Sequence, residues 1–207
     1  MTLESSKTLG GVGAILVVIG FLGFFAYGYT ALLSLIGIII TLIALKGIAD
    51  HYNEAGIFNN ALYGFITLII GVVAFIATVI VMILMAISNI DIDWTNPTAI
   101  QQYFMDMNNL WSIIGTLIAA LVVLFIFVII SAIFFRKSLT SLSTKSGEKI
   151  FETAGLLWLI GAVLTIILIG FIIIGIAWIL IAVGFFSIKP TATQPPTAPP
   201  QPPPQPP

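Results

Sequence analysis

The chain's only histidine lies in the stretch KGIADHYNEAG, with Asp50 beside His51 and Glu54 three residues further on. On a helix, His-x-x-Glu sets an imidazole and a carboxylate on one face, which is the beginning of a metal site or of a pH-responsive pair. A catalytic zinc needs more protein ligands than these, and there is no second histidine and no cysteine to supply them. His51 is therefore expected to be a solvated group in a polar turn. Asp91 and Asp93 are the next carboxylate pair, in SNIDIDWTNPTAIQQYFMDMNN. Two carboxylates lack the oxygen count calcium requires, so this stretch is expected to be a solvated acidic loop.

The remaining polar groups inside long apolar runs are hydroxyls: Ser34, Thr41, Thr67, Thr78, Thr116, Ser131 and Thr165. A helical hydroxyl satisfies itself on the carbonyl four residues back, so none of these demands a functional role. No serine among them has a histidine within its own run to act as a base, which disfavours a serine hydrolase. No charge interrupts the apolar cores, and charges there are the usual machinery of proton relays and voltage sensors. The expectation is no catalytic residue, no metal, no cofactor and no enzyme activity.

The elements that carry these groups follow from composition. Hydrophobic residues make up 59% of the 207 residues and charged residues only 7%, too few to cover a soluble surface. The fold class expected is all-α, a polytopic helical bundle in a membrane. A net charge of −1 supplies no basic footprint for nucleic acid. The opening octapeptide MTLESSKT and the run after it lack a cleavage signal, so the first apolar segment is expected to remain as a span.

A helix crosses roughly 30 Å of hydrocarbon with about 20 residues. Applied along residues 1–188, this length yields spans at about 9–27, 29–48, 61–88, 110–135, 153–169 and 171–188. The break between the first two falls at Tyr27–Thr30, where two tyrosines suit a membrane interface. The last two divide the uncharged run Gly155–Ile188. As one helix that run would be about 51 Å long and would need an extreme tilt, so a tight turn near Gly170–Gly175 is expected, and five spans is the alternative.

With six spans, all seven Lys and Arg residues fall on one side: Lys7, Lys46, Arg136, Lys137, Lys145, Lys149 and Lys189. The other side carries Asp91, Asp93 and Asp106 and no base. The positive-inside rule then puts both termini in the cytoplasm of a cell membrane. Arg136, Lys137, Lys145 and Lys149 are the candidate contacts to anionic lipid. In the opposite loop, Thr95 or Asn96 can cap a short helix beginning at Pro97, which leads into the fourth span, with Trp94 and Trp111 near headgroup level.

Small residues at four-residue spacing, Gly115 with Ala119 and Ser112 with Thr116 and Ala120, together with Gly64 and Gly71, allow close helix approach within the bundle or between protomers of an oligomer. Residues 189–207 read KPTATQPPTAPPQPPPQPP, a disordered, proline-rich polyproline II segment. Its PTAP, from Pro196 to Pro199, is the candidate docking motif for a cytoplasmic protein partner, with a passive spacer as the alternative. Two cytoplasmic stretches, AGIFNNAL and GEKIFETAGL, echo one another as a duplicated hairpin would.

The C-terminal FETAGLLWLIGAVLTIILIGFIIIGIAWILIAVGFFSI resembles the signature of an archaeal membrane family known as domain of unknown function 996. SKTLGGVGAIL, LIALKGIAD and IFNNALYG resemble that family's first half, so the likeness spans about residues 5–188. It implies a multi-pass archaeal protein and carries no catalytic residue over. The leading expectation is a non-enzymatic membrane scaffold or anchor. A channel or transporter for a small neutral solute comes second, and a membrane enzyme third.

Overall fold

The computed structural model describes residues 1–24, 30–88 and 95–189. Asp91, Asp93, Trp94, most of the Tyr27–Thr30 turn and the tail with Pro196 and Pro199 lie outside the described residues. The helices are α1 (Leu3–Phe24), α2 (Ala31–Tyr52), α3 (Ala55–Ser88), α4 (Pro97–Met105), α5 (Met107–Ser146), α6 (Ile150–Leu164) and α7 (Ile169–Ser187). Six of them, all but α4, are long and apolar enough to cross a membrane. Their backbone groups bond within each helix, as a medium without water requires.

Three antiparallel hairpins, α1–α2, α3–α5 and α6–α7, form the bundle. Further contacts of α2 with α3, α5 with α6 and α7 with α1 close them into a ring. Hydrogen-bonding side chains and glycines set the distances. Gly13 and Gly37 face each other across α1 and α2, where a Cβ on Gly13 would stand 2.8 Å from the Gly37 carbonyl. Ser34 Oγ donates across the same seam to the Val17 carbonyl at 3.2 Å. This differs from the expected intrahelical bond, which Thr41, Thr78 and Thr116 do make, each to the carbonyl four residues back.

The core is densest toward one end of the ring. Ile48, Ile57, Leu142, Phe151 and Phe185 are fully enclosed there. Phe135, Trp158 and Trp178 continue it as an aromatic stack, with centroids 5.1 Å apart at both steps. Elsewhere the helices present leucine, isoleucine and valine outward, which suits lipid.

Several of the described helix ends have a local cause. Asn53 takes a left-handed conformation (φ 51°, ψ 40°) after α2, and Gly147 does so after α5 (φ 77°), the usual closing geometry. The α6–α7 break lies at Thr165–Leu168, ahead of the expected Gly170–Gly175, and uses Leu168 in the left-handed region (φ 64°). Gly170 serves packing instead. Its neighbour Gly161 would hold a Cβ only 3.0 Å from the Gly170 carbonyl, so the pair lets α6 and α7 close tightly after the turn. In α4, Asn96 Oδ1 accepts the backbone N–H of Thr98 at 3.0 Å, and Pro97 opens the helix.

Candidate functional site

The polar groups of the described chain concentrate where α1 begins, α7 ends, and the α2–α3 and α5–α6 connections meet. Ser138 Oγ on α5 donates to the Ile57 carbonyl on α3 at 2.5 Å, locking the α3–α5 hairpin to this end. Lys7 Nζ reaches the Ile188 carbonyl at 3.1 Å and Glu4 at 3.0 Å, so α1 closes over the end of α7. Lys46 meets Asp50 at 2.6 Å and lies 5.7 Å from the Phe58 ring centre. A groove of about 310 Å³ opens beside this pair, lined by Met1, Leu42, Gly47, Phe58 and Leu62.

The structure gathers all seven bases at this end, and five of the eight acids with them: Glu4, Asp50, Glu54, Glu148 and Glu152. Of the four expected lipid contacts, Lys145 is engaged elsewhere: its Nζ lies 3.2 Å from Glu54. Both side chains are more than a third exposed, so solvent screens the pair and it is worth at most about 1 kcal/mol. Lys137 Nζ lies 5.9 Å from the Phe134 ring centre, and Arg136 runs along Gly155, whose Cβ would stand 3.3 Å from the arginine Cα. The acids that intersperse the bases are a feature the reading of loop bases alone overlooks. They were visible as KGIADHYNE and GEKIFE.

His51 and Glu54 do not share a helix face. The left-handed Asn53 ends α2 between them, and Glu54 turns to Lys145 while His51 stacks edge-on against Tyr52 at 5.1 Å. Among the described residues, no three of His, Cys, Asp and Glu converge as a metal site would require. Gly115, one of the expected packing positions, has nothing within 4 Å of its Cβ direction, whereas Gly64 and Gly71 seat Phe135 and Phe127 of α5.

A ring of six apolar helices with its lysines and arginines gathered at one end is a polytopic helical membrane protein. Residues 33–179 match the family described as "Protein of unknown function (DUF996)". The chain belongs to that family. It is also 28% identical over 188 residues to an uncharacterized protein of Methanocaldococcus jannaschii, covering 91% of this chain and 94% of the relative. No solved structure matches it.

Proposed function

We propose that this protein is a non-enzymatic membrane anchor that presents its charged end, and the proline-rich segment leaving it, to soluble cytoplasmic partners. The observation that carries this reading is the joint placement of every lysine and arginine at the end where α7 passes into Lys189. The positive-inside rule then assigns that end, and both termini, to the cytoplasm. Arg136, Lys137 and Lys149 are the bases that meet anionic headgroups, each adding about 1 kcal/mol of attraction near the surface. Transport is the weaker reading. Buried Thr41 donates to the Gly37 carbonyl of its own helix and Ser138 to the Ile57 carbonyl of α3, so both hydroxyl protons are committed to backbone.

Two measurements test this. Introduced into the cysteine-free chain one at a time, Thr98→Cys should react with an impermeant thiol reagent outside intact cells, and Ser146→Cys and Thr193→Cys should not. Reaction at 193 alone from outside would replace six spans with five, and reaction at 146 and 193 but not 98 would reverse the assigned orientation. Separately, deletion of residues 190–207 should leave melting temperature in detergent unchanged, because proline-rich chain lacks the apolar area to pack. The same deletion, and in part Pro196→Ala with Pro199→Ala, should strip soluble partners that copurify from native membranes. An unchanged partner set would reduce the segment to a spacer.

A further inference from the structure

The α3–α5 hairpin rises further from the charged end than α6–α7 does. Arg136 marks the charged interface on α5, and Gly155 of α6 is level with it, its Cβ direction meeting Arg136 Cα at 3.3 Å. One turn further along, Trp158 stacks on Phe135 at 5.1 Å, so α6 runs antiparallel to α5. Continuing that register puts the α6–α7 turn beside about Leu124, some 20 Å along the axis from Arg136. Beyond Leu124, α5 goes on for about another 20 Å to Trp111, an exposed tryptophan of the kind that sits at headgroup level. Tilt does not change the proportion, since the two helices run side by side. The turn stands about halfway between the two interfaces.

The chain beyond that level is not built for water. α5 from Leu110 to Val123 and α3 from Phe75 to Ser88 carry no charge, and Ile76, Ile80, Leu84, Ile114, Ile118 and Leu121 are exposed. If the α6–α7 turn lay at the far headgroups, about 20 Å of this hairpin would stand apolar in solvent, at roughly 25 cal/mol for each Å² exposed. The turn itself has the composition of the hydrocarbon interior. Turns at water favour Gly, Pro, Asn, Asp and Ser, but this one reads Thr-Ile-Ile-Leu. Ile166 and Leu168 are each 72% exposed and Ile172 65%. Its polar groups close on themselves: Leu168 N–H donates to Thr165 at 3.0 Å, Phe171 N–H to Leu168 at 3.2 Å, and the Thr165 hydroxyl to Ala162 at 2.7 Å. Internal satisfaction is the condition for a turn at membrane depth.

We infer that α6–α7 is a re-entrant hairpin whose turn lies inside the bilayer, leaving a recess above it, walled by α3–α5, that lipid acyl chains of the far leaflet fill. Both α6 and α7 are long enough to cross, but their charged-end turns lie at or below the level of Arg136 and use up length there. Sidedness is unaffected, because Lys149 and Lys189 remain at the same end.

Spin labels on single cysteines in liposome-reconstituted full-length protein test this by collision with oxygen, which concentrates in hydrocarbon, and with a water-soluble nickel chelate. Ile167→Cys should match Val122→Cys on α5, with high oxygen and low nickel accessibility, and Thr98→Cys should show the reverse. An impermeant maleimide added on both sides should modify Ile167→Cys at least about tenfold more slowly than Thr98→Cys, while detergent unfolding should equalise them. Nickel accessibility at 167 equal to that at 98 would place the turn at the far surface and overturn the inference. The same profile at Ile166→Cys guards against a local effect of one substitution, since both side chains are exposed and fill no packing site.

Discussion

Gly37→Leu is expected to dismantle the α1–α2 hairpin, while Gly115→Leu leaves the protein unchanged. A Cβ on Gly37 would lie 2.6 Å from the Gly13 carbonyl oxygen and 2.7 Å from the Val17 nitrogen. Both obstacles are backbone, so no rotamer change makes room. α1 would have to move away from α2, and the Ser34 hydroxyl would lose the Val17 carbonyl. Overpacking typically costs about 1–3 kcal/mol, and a clash with backbone that no rotamer relieves falls at the upper end of that range. Close backbone approach is also the main attraction between helices when lipid is as apolar as the interface, so little else would hold the pair. At Gly115 there is nothing within 4 Å, and an added leucine side chain simply meets lipid. The measurement is melting temperature and monodispersity in a mild detergent, with both variants expressed in parallel. Equal behaviour of the two would mean that the α1–α2 seam is not held by glycine contact.

Phe151→Ala should cost nearly as much at the charged end. Phe151 is fully buried, with its ring edge-on to Phe185 at 5.4 Å and an interplanar angle of 75°. It fills the notch over Gly184, where a Cβ would stand 2.9 Å from the ring. Phe185 in turn lies on Gly10, so one ring pair joins α6 and α7 to the start of α1. Removal leaves a cavity that the surrounding helices fill poorly, for a loss of about 3–5 kcal/mol. Phe171→Ala is the matched control, since that ring is 42% exposed near the turn and is expected to cost under about 1 kcal/mol. A loss at Phe151 no larger than at Phe171 would show that the aromatic pair does not carry the contact.

The medium, the helical class and the number of helices long enough to cross were legible in the sequence, because the bilayer acts as a nearly uniform solvent. Long uncharged runs have few other places to go, and an unsatisfied backbone in hydrocarbon leaves the helix as the main solution. The helix start at Asn96-Pro97 was legible for the same local reason, being written in a cap and a fixed φ. So was the one-sided placement of Lys and Arg along the chain.

The packing was decided by the tertiary structure. In water, a buried helix face declares itself by alternating with a polar one, but here Val17 in the core and Ile19 facing outward are the same kind of residue. No periodicity therefore separated Gly37, pressed against the backbone of α1, from Gly115, which touches nothing. His51 and Glu54 share a face only on an unbroken helix, and the left-handed Asn53 breaks the helix between them. Likewise the length of the uncharged run puts a turn near Gly170–Gly175, yet Gly170 is kept for the approach of α6 to α7 and the chain reverses at Leu168 instead. Solvent preference is written residue by residue and can be summed along a chain. Which backbones touch depends on how separate helices fit together, and in an apolar medium that fit leaves almost no mark on composition.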